Sequence, residues 1–303
     1  MQTILGAGGV IANNLAMHLP EYTQQIRLVS RNPKPVLGTE ELVPADLLNR
    51  DQVSRAVAGS EVVYLTAGLT YNVKVWQTQW PVLMRNVLDA CQEHGAKLAF
   101  FDNVYAYGRV NGWMTEDTPY NPCSKKGEVR AKIATLLMDE ARQGKLQAMI
   151  VRGADFYGPN TPLSFLTAMV FDNLKKGKAA QIMVDAEKRH SFTYTPEAGQ
   201  AMAMLGNTPS AFNQIWHAPT APNPLNARQI VEIAAGILGV PPKFTVLSRP
   251  MLRMVGWFVP VVRESIEMLY QNDQDYLFDS TKFNQAFGFE PVAYAAGIAA
   301  AMK

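Results

Sequence analysis

Thr3-Ile4-Leu5-Gly6-Ala7-Gly8-Gly9-Val10-Ile11-Ala12 opens the chain with a short apolar run, a glycine-rich bend and the first residues of an amphipathic stretch. Gly6, Gly9 and Ala12 fall at the spacing G-x-x-G-x-x-G/A. Each position has a physical role: Gly6 permits a tight turn, Gly9 lets backbone approach a diphosphate, and Ala12 is small enough for a helix to pack on the strand before it. Val10 and Ile11 would add free amides at the positive end of that helix. A strand before the glycines and a helix after them predict a dinucleotide-binding loop rather than a glycine-rich surface turn.

The pattern repeats outward from this loop. Strands are expected at 3–5, 26–30, 62–66, 98–101 and 149–151, with helices at 10–18, 52–58, 74–93 and 126–142. Alternation of this kind predicts an α/β fold with a doubly wound parallel sheet. Val62-Val63-Tyr64-Leu65 and Lys97-Leu98-Ala99-Phe100-Phe101 are nearly continuous apolar runs, as interior parallel strands covered on both faces require. After Val151, Pro and Gly cluster at 158–162 and 219–224, and helices are expected at 227–238 and 251–258. The division implied is a nucleotide-binding domain at 1–155 and a smaller mixed, mainly substrate-binding lobe at 156–303. The chain could return to the first sheet within the second part.

Bulk properties narrow the class. The 303 residues are 48% hydrophobic and 18% charged, with a net charge of +2, too small to attract nucleic acid. Two cysteines, Cys91 and Cys123, do not make a disulfide framework, and a reducing, cytoplasmic setting is expected. No targeting peptide is visible. The segment from Met251 to Val262 is apolar but carries Arg253 and Pro260 and is too short to span a bilayer. A buried or half-buried helix is expected there, with a membrane-resting surface as the alternative, and the partners expected are a small-molecule substrate and neither nucleic acid nor membrane.

The second strand bears on the identity of the dinucleotide. An NAD site ends this strand with an acid that holds the ribose hydroxyls. Here Ile26-Arg27-Leu28-Val29-Ser30-Arg31 places Ser30 where the acid would stand, followed by Arg31. A hydroxyl and a guanidinium suit a 2′-phosphate, which favours NADP while leaving NAD open. Asp46 and Leu47, just after a third apolar run, would lie beside the adenine, although Asp46 could instead be a helix cap.

Together these motifs resemble the extended short-chain dehydrogenase/reductase family, the NAD(P)-dependent epimerase/dehydratase group. The resemblance extends through Thr66-Ala67-Gly68, Tyr107-Gly108, Pro122-x-Ser124, Arg152 with Phe156-Tyr157-Gly158-Pro159, His190-Ser191-Phe192-Thr193-Tyr194 and Phe287-Gly288-Phe289-Glu290-Pro291. It implies a Rossmann-like first part, a C-terminal lobe that binds substrates such as nucleotide sugars, cofactor contacts from Thr66, Ala67 and Gly68, and substrate contacts near Tyr157 and His190. It also implies a Ser or Thr after the central strand and a Tyr-x-x-x-Lys pair. In those three places this chain has Asn103, Lys126 and Arg130, and the Gly that usually follows the tyrosine is kept as Gly127.

Lys126 and Arg130 are four apart and share a helix face. Lys126 could act as a general acid or base beside the cofactor. Arg130 could donate to a ribose but cannot release a proton, and Asn103 could orient a carbonyl or hydroxyl. Alternatively Lys125, Lys126 and Arg130 form only a solvated basic face. Tyr105 or Asp102, leaving the end of a parallel strand, could reach a substrate, and Tyr105 beside Lys126 would recreate a phenol–cation pair. Trp76 and Trp80 are expected in the core, with a homodimer face as the other option for that helix. His18, His94 and His217 show no metal-ligand spacing, and no metal is expected. Two functions stay open: an atypical NADP-dependent oxidoreductase, epimerase or dehydratase, and an NADP-binding regulatory module without turnover.

Overall fold

The computed structural model describes residues 1–303. Its main sheet has seven strands, all parallel: β1 (Gln2–Leu5), β2 (Ile26–Ser30), β3 (Glu41–Pro44), β4 (Val62–Leu65), β5 (Lys97–Asp102), β6 (Ala148–Arg152) and β7 (Ile215–His217). The spatial order is 3-2-1-4-5-6-7. The expected doubly wound architecture is therefore present, and strand order reverses between β1 and β4, where Leu5 pairs in register with Val29 on one side and Leu65 on the other. Crevices in such sheets open at this switch point, beyond the carboxyl ends of the strands.

Strands β1, β4 and β6 are buried along their whole length, which is why β4 is a continuous apolar run and β6 is apolar up to Arg152. Strand β3 is different: three of its four residues are exposed, since it closes the sheet at one edge. The helices α1 (Val10–His18), α2 (Arg50–Val57), α3 (Val73–His94), α4 (Lys125–Arg142) and α5 (Thr195–Gly206) lie between the strands in sequence. Asn49 caps α2 by accepting from the Gln52 amide at 3.1 Å. Asp46 is not the cap; its carboxylate accepts from the Leu48 amide at 3.0 Å in a tight turn. Asn72 caps α3, and the residues flanking that cap, Tyr71 and Trp76, pack edge to face at 5.7 Å. An apolar pair straddling the cap fixes how the chain enters the helix.

The chain forms two compact units. The first comprises 1–106, 126–153 and 196–218, so it is discontinuous, with α5 and β7 adding to the sheet after an excursion. The second comprises 107–125, 154–195 and 219–303. It is built from two-stranded pairings, among them Asp155–Tyr157 with Phe192–Tyr194 and Ala180–Met183 with Phe244–Leu247. Its own core gathers Tyr157, Phe171, Phe192, Val231 and Ile298 around the helix α6 (Ala227–Leu238). The helices α7 (Arg249–Gly256) and α8 (Pro260–Ser265) follow, and α9 (Thr281–Phe287) and α10 (Tyr294–Ala301) end the chain.

Helix α5 approaches α1 through Gly199. A Cβ there would lie 2.6 Å from the Leu15 amide nitrogen, against backbone that cannot yield. Gly199→Ala should therefore destabilise the protein by about 1–3 kcal/mol through overpacking. Gly236→Ala, in α6 and open on all sides, should stabilise it by about 0.5–1 kcal/mol through helix propensity and unfolded-state entropy. Urea denaturation midpoints of the two variants should move in opposite directions.

Candidate active site

The bend after β1 is set by backbone constraints. Gly6 has φ of +104° and Gly8 φ of +97°, both in the region that side chains avoid. A Cβ on Gly6 would lie 2.5 Å from the backbone of Ala67, the residue that follows Thr66 after β4. The loops leaving β1 and β4 thus touch at the switch point, and only glycine fits. Thr66 reinforces the junction by donating its amide to the Leu5 carbonyl at 2.9 Å. Gly9 is the N-cap of α1, with no side-chain cap, and no acid lies in the first turn. The amides of Val10 and Ile11 therefore stand at an uncompensated positive helix end. This cradle fits a diphosphate: narrow, free of side chains and lined by donors.

The other expected cofactor positions divide by burial. Ser30 ends β2 half-buried, and Arg31 is exposed and makes no hydrogen bond or ion pair. The other arginine nearby, Arg27 within the strand, is already committed: it donates to Glu41 at 2.9 Å and to the carbonyls of Ala56 and Ala58. Leu47 is buried, with its carbonyl held by Asn86 at 3.1 Å. Asp46 and Gly68 are exposed.

Lys126 and Arg130 are not a solvated face. Lys126 has no accessible surface and Arg130 is 3% exposed; Lys125 alone of the three faces water. Arg130 donates from Nε to Asp102 Oδ1 at 2.6 Å, and its Nη2 pairs with the same oxygen. Its guanidinium lies 4.3 Å from the Trp80 ring centre and 5.1 Å from that of Phe100, with Trp76 at 5.6 Å. Burial pulls this guanidinium below its ordinary pKa, and the Asp102 carboxylate opposes that shift. Asp102 also faces Arg152, its register partner on β6, at 3.4 Å. Asp102 is 1% exposed. Its carboxylate is committed to Arg130, Arg152 and the Asn103 amide, which corrects the expectation that it reaches a substrate.

The turn after β5 is tied to the same carboxylate. The Asn103 amide donates to Asp102 Oδ1 at 2.7 Å, its carbonyl accepts from Arg152 at 3.0 Å, and its side-chain oxygen accepts from the Tyr105 amide at 3.0 Å. Tyr105 stacks on Trp76 at 6.3 Å. The ring whose face carries the Lys126 ammonium is that of Tyr71, with Nζ 4.6 Å from its centre. Tyr71 was not singled out from sequence. The signal available was its place immediately before the Asn72 cap, with an aromatic at the fourth helical position. Trp76 and Trp80 are 5% and 1% exposed, so they are core and not a dimer face.

The two expected substrate contacts lie in the second unit and are both engaged in packing. Tyr157 is 1% exposed, ringed by Phe192, Tyr194 and Tyr294. His190 is buried, its Nε2 is 2.9 Å from Asp155 Oδ2, and its ring stacks on Tyr276 at 4.4 Å.

Comparison with known proteins fits this arrangement. The chain is 25% identical over 339 aligned positions to a 3beta-hydroxysteroid-dehydrogenase/decarboxylase isoform 1 of Arabidopsis thaliana, covering 95% of this chain and 75% of that protein. A second Arabidopsis isoform is also 25% identical, and the alignment covers 50% of its length. Among solved structures, a UDP-glucuronic acid 4-epimerase from Bacillus cereus, in complex with UDP-glucuronic acid and NAD, superposes with a TM-score of 0.81 at 17% identity, covering 100% of this chain and 98% of that one. A dTDP-glucose 4,6-dehydratase from Streptomyces venezuelae gives a TM-score of 0.80 at 16% identity, covering 100% and 95%. The model of the NAD dependent epimerase/dehydratase family matches residues 3–216, and the chain belongs to that family of enzymes.

Proposed function

We propose that this enzyme acts on a carbon bearing a secondary hydroxyl or carbonyl in a nucleotide sugar, prefers NADP, and uses Lys126 in place of tyrosine to exchange a proton with the reacting oxygen. The observation that carries the reading is the complete burial of Lys126 one helical turn from the Arg130–Asp102 pair. Burying an ammonium costs free energy that a solvated lysine does not pay.

A nicotinamide dinucleotide would supply reversible hydride transfer. The residues of the chain would do the rest. The amides from Gly8 to Ile11 would hold the diphosphate, those of Gly6 and Ala7 being given to the Val29 carbonyl, and Ser30 with Arg31 suits a 2′-phosphate. Lys126 Nζ, kept in place over the Tyr71 ring, gives or takes the proton at the substrate oxygen. Arg130 keeps its proton and acts as a positioning residue: its bond to Asp102 ties α4 to the end of β5 one turn past Lys126. The nucleotide-sugar substrate is inferred from the full-length likeness to the epimerase and dehydratase structures. The named activity of the Arabidopsis relatives makes a hydroxysteroid the second reading.

Two experiments test this. Lys126→Met should leave NADPH affinity within about threefold of the parent while turnover on the accepted substrate falls by about 100-fold or more, the range for loss of a general acid–base group. Substrates are screened as nucleotide sugars and 3-hydroxysteroids, with products read by mass spectrometry, since an epimerase regenerates its cofactor. Full turnover by the variant would remove Lys126 from the chemistry. In parallel, NADPH should bind more tightly than NADH, and Arg31→Asp should reverse the order; equal affinities would remove the NADP preference.

Asp102→Asn probes the positioning role separately. It leaves Arg130 buried without a counter-charge, so stability in urea should drop by about 3–5 kcal/mol. At temperatures where the variant stays folded, kcat should fall more than KM rises. An unchanged urea midpoint would mean that this carboxylate does not anchor α4.

A further inference from the structure

The apolar segment at 251–262, for which a buried or half-buried helix is the first expectation and a membrane-resting surface the alternative, carries the largest run of exposed apolar side chains. Helix α7 puts only Leu252 and Gly256 inward. Met251, Met254 and Val255 face outward, Trp257 and Phe258 are 78% and 81% exposed, and Val261 continues the surface on α8 at 61%. Scattered exposed apolar residues need no explanation, but a contiguous group of this size does.

The segment is also held in shape. A Cβ on Gly256 would lie 3.1 Å from Ile266 Cδ1 and 3.2 Å from Arg263 Cα, so glycine allows α7 and α8 to close on each other. The connecting turn is hydrogen-bonded throughout: the amides of Trp257, Phe258 and Val259 reach back to Met254 and Val255, and the Arg263 amide reaches the Val259 carbonyl at 3.1 Å. Trp257 and Phe258 are presented on a braced projection, not in a groove.

Charge identifies what this projection suits. From Arg249 to Arg263 there are three arginines and no acid. Arg249 is paired with Asp273. Arg253 and Arg263 are exposed and have no ion pair, one on each helix flanking the apolar tip. The next acids, Glu264 and Glu267, are half-buried and engaged; Glu267 accepts from the Lys125 amide at 2.8 Å. The tip between the two helices thus carries two unpaired cations and no acid.

We propose that the α7–α8 projection docks on an anionic lipid bilayer, with Trp257 and Phe258 inserted at the headgroup level and Arg253 and Arg263 on lipid phosphates. An apolar tip bearing a tryptophan and rimmed by free cations is the composition of an interfacial anchor. No helix of the chain is long and apolar enough to cross a membrane, so the contact is with one leaflet. A protein partner or a second copy would more naturally meet a flat or concave patch, and a second copy would bring the same unpaired arginines. This inference is independent of the proposed chemistry.

Flotation with vesicles tests it, using phosphatidylcholine alone and phosphatidylcholine mixed with phosphatidylserine. The full chain should bind the phosphatidylserine vesicles about tenfold or more better, and added salt should weaken that binding. The double variant Trp257→Ser with Phe258→Ser should lose binding to both vesicle types. Arg253→Ala with Arg263→Ala should lose only the preference for phosphatidylserine. Because all four side chains are exposed, urea midpoints should not move, which separates lost docking from lost folding. No binding by the parent chain, or parental binding by the serine variant, overturns the proposal. So does a parent dimer that the serine substitutions convert to monomer, since the patch would then serve a second copy.

Discussion

One carboxylate organises the chemical end of the first unit. Asp102 ends the central strand β5 with no exposure to water, and two guanidinium groups reach it, Arg130 from α4 and Arg152 from the neighbouring strand. A single negative charge does not neutralise two positive ones. The arrangement holds because guanidinium is weakly hydrated and planar, so its faces can lie against Trp80 and Phe100 while its edge meets the carboxylate. An ammonium at position 130 could not use the rings in this way and would retain a larger desolvation cost. The aromatic pair on α3 and the arginine on α4 are therefore one device, and the turn carrying Asn103 and Tyr105 is fastened to it.

The sheet was legible in the sequence because burial on both faces leaves a plain signature. Val62–Leu65 is apolar throughout and Ala148–Arg152 is apolar up to its last residue, and the strands found there differ from the expected ranges by a residue or so at their ends. Strand β3 carries little of that signal, since an edge strand with an exposed face does not need apolar residues. Strand β7 is three residues long and returns from far along the chain, so its pairing with β6 depends on packing that no local pattern encodes. The glycine loop was legible because its constraints are backbone constraints. Gly8 adds a second positive φ that the spacing of the motif did not demand.

The candidate site was legible in position but not in environment. Sequence register placed Lys126 and Arg130 correctly on one helix face. Whether that face met water or protein depended on α3 and β5, whose rings and carboxylate come from residues 76, 80, 100 and 102. Helical spacing reports which residues lie together, not what covers them. The same limit explains the segment at 251–262: its apolar run predicted burial, yet only Leu252 and Gly256 face inward.

On the register that the family resemblance implies, Asn103, Lys126 and Arg130 stand in for Ser, Tyr and Lys; that invites an interpretation as decay, and the packing argues otherwise. A decayed site can tolerate small or apolar residues, which cost nothing to bury. Here each replacement carries polar groups. Arg130 is buried with a matched carboxylate and matched rings, Lys126 lies over the face of Tyr71, and Asn103 uses its amide, its carbonyl and its side-chain oxygen at once. The substitutions are also interdependent. Arg130 without Asp102 is an isolated buried charge, and Lys126 without the anchored α4 has no fixed position. On the proposed reading, what requires the set as a whole is proton transfer beside a dinucleotide.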